Sequence, residues 1–201
     1  YAGGLMTDWG VHLIDIALWG MKAKAPASVM ASGGKMAYPE DAQETPDTLV
    51  SIFEFDDHIM QWDHAVAIDS CNFNRNHGIA FIGNNGTLIV DRRGWEVVPE
   101  ERGSGAERHS LMEAVPKAGQ SGEALDTHTK NFVDCVKSRT KTACPVEIGG
   151  HTAKIAHFGN IAFRTGRKVY WDNSSGSFKN DGEANKFLTP GYRTPWKLPK
   201  I

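Results

Sequence analysis

The chain has 201 residues, 40% of them hydrophobic, with 22 basic and 24 acidic side chains and a formal net charge of -2. That size supports one domain with a sizeable core or two small ones, and a near-neutral balance without a basic run argues against nucleic acid or an anionic membrane surface as partner. No apolar run reaches the roughly 18 residues a membrane-spanning helix needs; the longest, Val11 to Leu18, is broken by His12 and Asp15. A soluble protein, cytoplasmic or periplasmic, is expected. Cys71, Cys135 and Cys144 fit no metal spacing and read as free thiols acting as small buried hydrophobes. The chain opens on Tyr1-Ala2-Gly3-Gly4 with neither Met nor signal peptide, which reads as a fragment with something important upstream.

Residues 3 to 19 predict an apolar helix with one polar stripe. At about 3.6 residues per turn, Asp8, His12, Asp15 and Trp19 share a face. Around them stand Val11, Leu13, Ile14, Ile16, Ala17 and Leu18. A helix that is apolar nearly all round is expected to be buried, and buried carboxylates and imidazoles need partners. Asp8 and His12 therefore either pair for structural reasons or face a polar pocket. Asp8 competes with Thr7 as the helix N-cap, and His12 is open to a bond with Asp15 or with a carbonyl.

Ser28 to Ser32 reads as a strand entered after Pro26. Thr48 to Phe55 and Ile59 to Val66 read as a hairpin across Asp56-Asp57-His58. Gly78 to Ile82 and Thr87 to Asp91 flank Asn84-Asn85-Gly86, a strong turn signal, and Arg93-Gly94 turns the chain into a strand at Trp95 to Val98. Glu100 to Ser121 is polar with scattered Gly and Pro, and predicts a long loop. Thr127 to Ser138 predicts a helix with Phe132, Val133 and Val136 on one side and Thr127 or Asp126 as cap. A second helix, from about Gly150 to Arg164, turns Ala153, Ala156, Ile161 and Ala162 inward and ends at Gly166. Lys168 to Trp171 is a last strand. Residues 171–201 form an extended tail with Phe187, Tyr192 and Trp196 as its anchors; such a tail is ordered only if it packs on the body or on a neighbouring subunit. The order helix, antiparallel strands, helices, strand predicts an α+β layer structure over residues 1–201, one sheet with helices on one face.

Gly103-Ser104-Gly105 makes a poor dinucleotide loop. Arg108 stands where the third glycine belongs, and Pro116 and Gly119 break the helix that should follow. No Rossmann cofactor site is expected within these residues. Asp8 and His12 have a spacing that permits metal ligation, but third and fourth ligands are missing, so no metal site is expected. Arg75 and His77 stand in the polar loop from Asn72 to His77, which either reaches a hydroxylated substrate or is simply solvated. His64, near the hairpin end, carries the same two readings.

The pattern Gly3-Gly4-x-x-x-Asp8-x-Gly10-x-His12-x-x-Asp15 resembles the oxidoreductase family named after glucose-fructose oxidoreductase, inositol dehydrogenase and the rhizopine protein MocA (Gfo/Idh/MocA). Phe81-Ile82-Gly83-Asn84-Asn85-Gly86-Thr87-Leu88 is similar to that family's sheet hairpin, and His128-Thr129-Lys130-Asn131-Phe132 to the start of its late helix. Tyr192-Arg193-Thr194-Pro195-Trp196 resembles the tail of a bacterial branch. Family members begin with a Rossmann domain that binds NAD or NADP and ends near a Glu-Lys-Pro motif whose lysine joins the catalytic group; this sequence contains neither.

The resemblance implies the C-terminal, substrate-side domain: a large open sheet, mostly antiparallel or mixed, covered by helices on one face. It implies NAD or NADP bound mainly by the upstream domain, and a homo-oligomer formed through the open sheet face. By position His12 matches the catalytic histidine and Asp8 its partner carboxylate. Asp15 either acts from behind them on the substrate or makes a structural bond, and Arg75 and His77 are candidates for substrate contact. The implied activity is that of an NAD(P)-dependent dehydrogenase of a sugar, polyol or related secondary alcohol, with this chain inactive alone. The alternatives are an NAD-dependent glycoside hydrolase and a non-catalytic binding or assembly module.

Overall fold

The computed structural model describes residues 3–70, 72–119, 124–189 and 191–197, so Cys71 lies outside the described residues. The chain runs α1 (Trp9–Met21), β1 (Ser28–Gly34), β2 (Thr48–Glu54), β3 (Ile59–Ala65), β4 (Ile79–Ile82), β5 (Gly86–Asp91), β6 (Gly94–Pro99), β7 (Glu101–Arg102), β8 (His109–Ser110), β9 (Val115–Gly119), α2 (Ala124–Ser138), α3 (Val146–Thr165), β10 (Val169–Asp172), β11 (Ser177–Phe178) and α4 (Gly182–Lys186). It is an α+β fold, and every strand pairing among the described residues is antiparallel. Two compact units emerge: Tyr1–Val66 with His151–Ile201, and Ala67–Gly150. The single predicted sheet is divided accordingly, into a five-stranded and a four-stranded sheet, with β7 and β8 as a separate small pair. No described helix is long and apolar enough to cross a membrane.

In the first unit the strand order is β11-β10-β1-β2-β3. Alternation of period two decides which face is covered. Leu49, Ser51 and Phe53 of β2 are buried, and Phe53 pairs with Val29 of β1 and Met60 of β3. Onto this face packs α3, which begins at Val146 rather than near Gly150 and buries Ile155, Ala156, Phe158, Ile161 and Ala162. Gly166, at φ +65°, ends it by donating to the carbonyls of Ala162 and Phe163, as a left-handed glycine cap does. Phe158, Trp171 and Phe178 form an aromatic trio with ring centroids 4.4, 5.0 and 5.2 Å apart. The tail is therefore rooted by Phe178 and by the buried Ala184 of α4, not by the predicted Phe187, Tyr192 and Trp196, which are exposed. Asp181 caps α4 by accepting from the Ala184 N–H at 3.0 Å.

In the second unit the strand order is β4-β5-β6-β9, and the Asn84-Asn85-Gly86 turn joins β4 to β5 with Ile82 opposite Thr87. The predicted loop from Glu100 to Ser121 instead holds β9, an edge strand placing Ala118 opposite Trp95 and Val115 opposite Val97. Scattered Gly and Pro predicted a loop there, but an edge position tolerates the missing N–H of Pro116. The helix α2 starts at Ala124, so Asp126 and Thr127 lie within its first turn, and Phe132, Val133 and Val136 are exposed. Cys135 is buried, its thiol donating to the Lys141 carbonyl at 3.3 Å, whereas Cys144 is exposed.

Phe158 has no exposed surface and touches two other rings, so truncation leaves a cavity that the sheet cannot close. Phe158→Ala is expected to lower the unfolding free energy by about 3–5 kcal/mol in denaturant titration.

Candidate functional site

The predicted helix from Gly3 begins only at Trp9, because Leu5 to Asp8 turn instead. The N–H groups of Thr7 and Asp8 both donate to the Gly4 carbonyl at 3.0 Å, with Gly4 at φ +63°. A Cβ there would adopt a left-handed backbone and stand 2.5 Å from Thr45 Oγ1. The turn is held by α3. Asn160 Nδ2 donates to the Gly3 carbonyl at 2.7 Å, and Gly159 leaves room for Met6, whose Sδ would lie 2.9 Å from any Cβ at that position. Past the turn, Thr152 Oγ1 donates to Asp15 Oδ1 at 2.9 Å. The α1 segment is thus tied to α3 before Asp8 and after His12, and Asp15 is occupied in that tie.

The burial expected for α1 is corrected. Only Gly10, Ile14 and Leu18 are buried, a line spaced by four residues. That line turns Asp8 and His12 outward, and both are exposed. Asp8 occupies the N-cap position yet makes no side-chain cap bond, and no hydrogen bond joins it to His12 among the described residues. Trp9 meets the His12 imidazole edge-on, with centroids 6.4 Å apart. Trp9 escaped the sequence reading, which saw it only as part of an apolar helix. A carboxylate and an imidazole one turn apart, both open to solvent, can pass a proton to and from an incoming hydroxyl.

Arg75 and His77 belong to the second unit, while Asp8, His12 and Asp15 belong to the first. Arg75 is buried, and its guanidinium pairs with both Asp91 and Glu96. Lys117 Nζ lies 3.4 Å from the same Asp91 carboxylate. The Glu96 bond leads the effects that raise the Arg75 pKa. For Asp91, burial pushes upward, but the Arg93 N–H and the Arg75 pairing prevail and lower its pKa. The network fastens the Asn72–His77 loop onto β5 and β6. His77 is half-buried, its Nδ1 donates to Asn76 Oδ1 at 2.8 Å, and burial lowers its pKa.

Two further polar groups are held at positions that carry little local signal. Asp47 is buried and accepts the N–H groups of Met36, Ala37 and Tyr38 at 2.9, 3.0 and 2.8 Å, and the Thr48 hydroxyl at 2.8 Å. Burial opposes its charge, but those four bonds prevail and bring its pKa down to about 2. His64, on β3, accepts from Trp62 Nε1 at 2.8 Å through Nδ1 and donates through Nε2 to the Pro46 carbonyl at 3.2 Å. Only the neutral Nε2–H tautomer makes both bonds.

Gly103-Ser104-Gly105 lies in the turn between β7 and β8, where a Cβ on Gly103 would meet the Glu107 carbonyl, and it leads into a three-residue 3-10 turn, Gly105–Glu107, rather than an α-helix. Among the described residues no cluster of His, Cys, Asp and Glu can hold a metal ion.

Residues 1–89 match the sequence profile of the GFO/IDH/MocA C-terminal domain, and residues 110–198 that of the oxidoreductase family's C-terminal alpha/beta domain. The chain belongs to the Gfo/Idh/MocA family. Among solved structures it is similar to an NAD-binding protein of Listeria innocua, at 21% identity and TM-score 0.57, over 84% of this chain and 52% of that one. It is similar to the WlbA dehydrogenase of Bordetella pertussis, solved with NADH and UDP-GlcNAcA, at 13% identity and TM-score 0.53, over 86% and 46%. A third is the UDP-N-acetylglucosamine 3-dehydrogenase GnnA of Acidithiobacillus ferrooxidans, at 14% identity and TM-score 0.53, over 77% and 46%. This Gfo/Idh/MocA chain therefore spans about half the length of these structures. No curated protein matches it.

Burial dominates His64 and lowers its pKa below 6.5. Under acid the unfolded chain gains a proton that the folded chain resists, so stability conferred by neutral His64 is present above pH 6.5 and declines below it. Denaturant midpoints taken from neutral pH downward should fall in the wild type and fall less steeply in His64→Gln.

Proposed function

We propose that this chain supplies the proton-handling half of an NAD(P)-dependent dehydrogenase acting on a sugar, polyol or related secondary alcohol. One observation carries the reading: Asp8, at the N-cap of α1, and His12, one turn on, are both exposed, and the segment is tethered on both sides of them. Membership in an oxidoreductase family supports it, as does the likeness to two sugar-nucleotide dehydrogenases. A nicotinamide, held by residues outside this chain, supplies the hydride acceptor.

His12 is the base at the hydroxyl. Its imidazole takes the alcohol proton as the carbonyl forms, and returns it in the reverse direction. Asp8 orients the imidazole or the hydroxyl and favours the positive charge that develops. Arg75 and His77 are the weaker candidates for substrate contact, since Arg75 is already engaged by two carboxylates. The open face of the first sheet, with Met30, Ile59 and Tyr170 exposed, is the surface through which copies assemble. The whole of residues 1–201 serves as the substrate-binding and assembly domain, inactive on its own.

His12→Ala in the intact protein should lower kcat about 10²–10⁴-fold while leaving nicotinamide affinity unchanged. Unchanged turnover in a folded variant would remove His12 from the mechanism. Product analysis reads the outcome directly: a keto-sugar supports the dehydrogenase, and a released aglycone points to hydrolysis. Calorimetry of the isolated chain with NAD should register no heat of binding.

A further inference from the structure

Two exposed segments of the first unit carry opposite charge. From Met36 to Asp47 the chain has four acidic residues and no basic one; from Lys186 to Ile201 it has four basic residues and no acidic one. The acidic segment is preformed. Asp47 gathers the N–H groups of Met36, Ala37 and Tyr38, and Lys35 Nζ lies 2.7 Å from Asp41. That scaffold presents Met36 and Tyr38 to water, 67% and 47% exposed. The basic segment follows α4, where Arg164 lies 5.6 Å from the centroid of the exposed Phe187 ring. Beyond it, every residue from Gly191 to Lys197 is exposed, with Tyr192 at 50% and Trp196 at 68%. The Trp196 N–H donates to the Arg193 carbonyl at 2.9 Å, closing a turn that ends on Trp196, with Tyr192 immediately before it.

Each segment pairs large apolar side chains with charges of one sign. Interface cores are enriched in aromatics and Met, and their rims are charged. We propose that the tail of one copy docks on the Met36–Glu44 loop of a second copy. Tyr192 and Trp196 lie against Met36 and Tyr38, and Arg193 and Lys197 face Glu40 and Glu44. Those four charges have no ion pair among the described residues, whereas Asp41 is already engaged by Lys35. A second copy is the occupant because this one chain carries both complementary surfaces. The contact is then reciprocal about a two-fold axis. It involves neither the Asp8–His12 face nor the open sheet face, so it stands apart from the catalytic reading.

The test mixes isotopically light and heavy full-length protein and couples amines to carboxylates with a zero-length carbodiimide. Cross-links between Lys197 of one isotope and Glu40 or Glu44 of the other are expected. Cross-links within one isotope only, or none, would overturn the proposal. In sedimentation, R193E/K197E should weaken association about tenfold, and adding E40K/E44K to the same chain should restore it. Association that ignores the first pair of reversals, or that the second pair does not restore, defeats the proposal.

Discussion

Two hydrogen bonds from α3 to the start of the chain hold the arrangement together. Thr152 holds the Asp15 carboxylate and Asn160 holds the Gly3 carbonyl. The buried line of α1 is Gly10, Ile14 and Leu18, flanked by the partly buried Trp9, Val11 and Leu13. Apolar burial of this kind is non-directional. Directional bonds at both ends decide which residues face the solvent. The same helix covers the sheet through Ile155 and Phe158, so packing of the core and aim of the candidate acid/base pair share one element.

The second unit is organised differently. Its best-buried groups include an ionic network of Arg75 and Asp91, with Glu96 and Lys117 at its margin, alongside Ile89, Thr87 and Cys135. Buried charge is costly unless fully paired, and its arrangement tolerates few alternatives. The network thereby keeps the Asn72–His77 loop in one position on its strands. The exposed Leu125, Phe132, Val133 and Val136 of α2 show that this unit leaves apolar surface uncovered.

Legibility followed the range of the interactions. The strands β2 and β3 and the turn at Asn84-Asn85-Gly86 were readable, because alternation and turn chemistry are local. The strand β9 was not, because an edge position excuses Pro116 and that position is a tertiary fact. The late start of α1 was hidden in the same way, since Gly4 and Gly159 act through close approach to distant residues. Asp47 gave no signal because its partners Met36 to Tyr38 are recruited by a fold-back of the loop.

The sequence by itself determined that Asp8 and His12 stand four residues apart at the start of an apolar helix. It also determined the α+β order of elements. Only the tertiary structure decided that this pair looks outward, that Asp15 belongs to Thr152, and that Arg75 belongs to Asp91 and Glu96. The reason is physical: periodicity states which side chains move together, but a burial direction exists only once a second element arrives to cover one side.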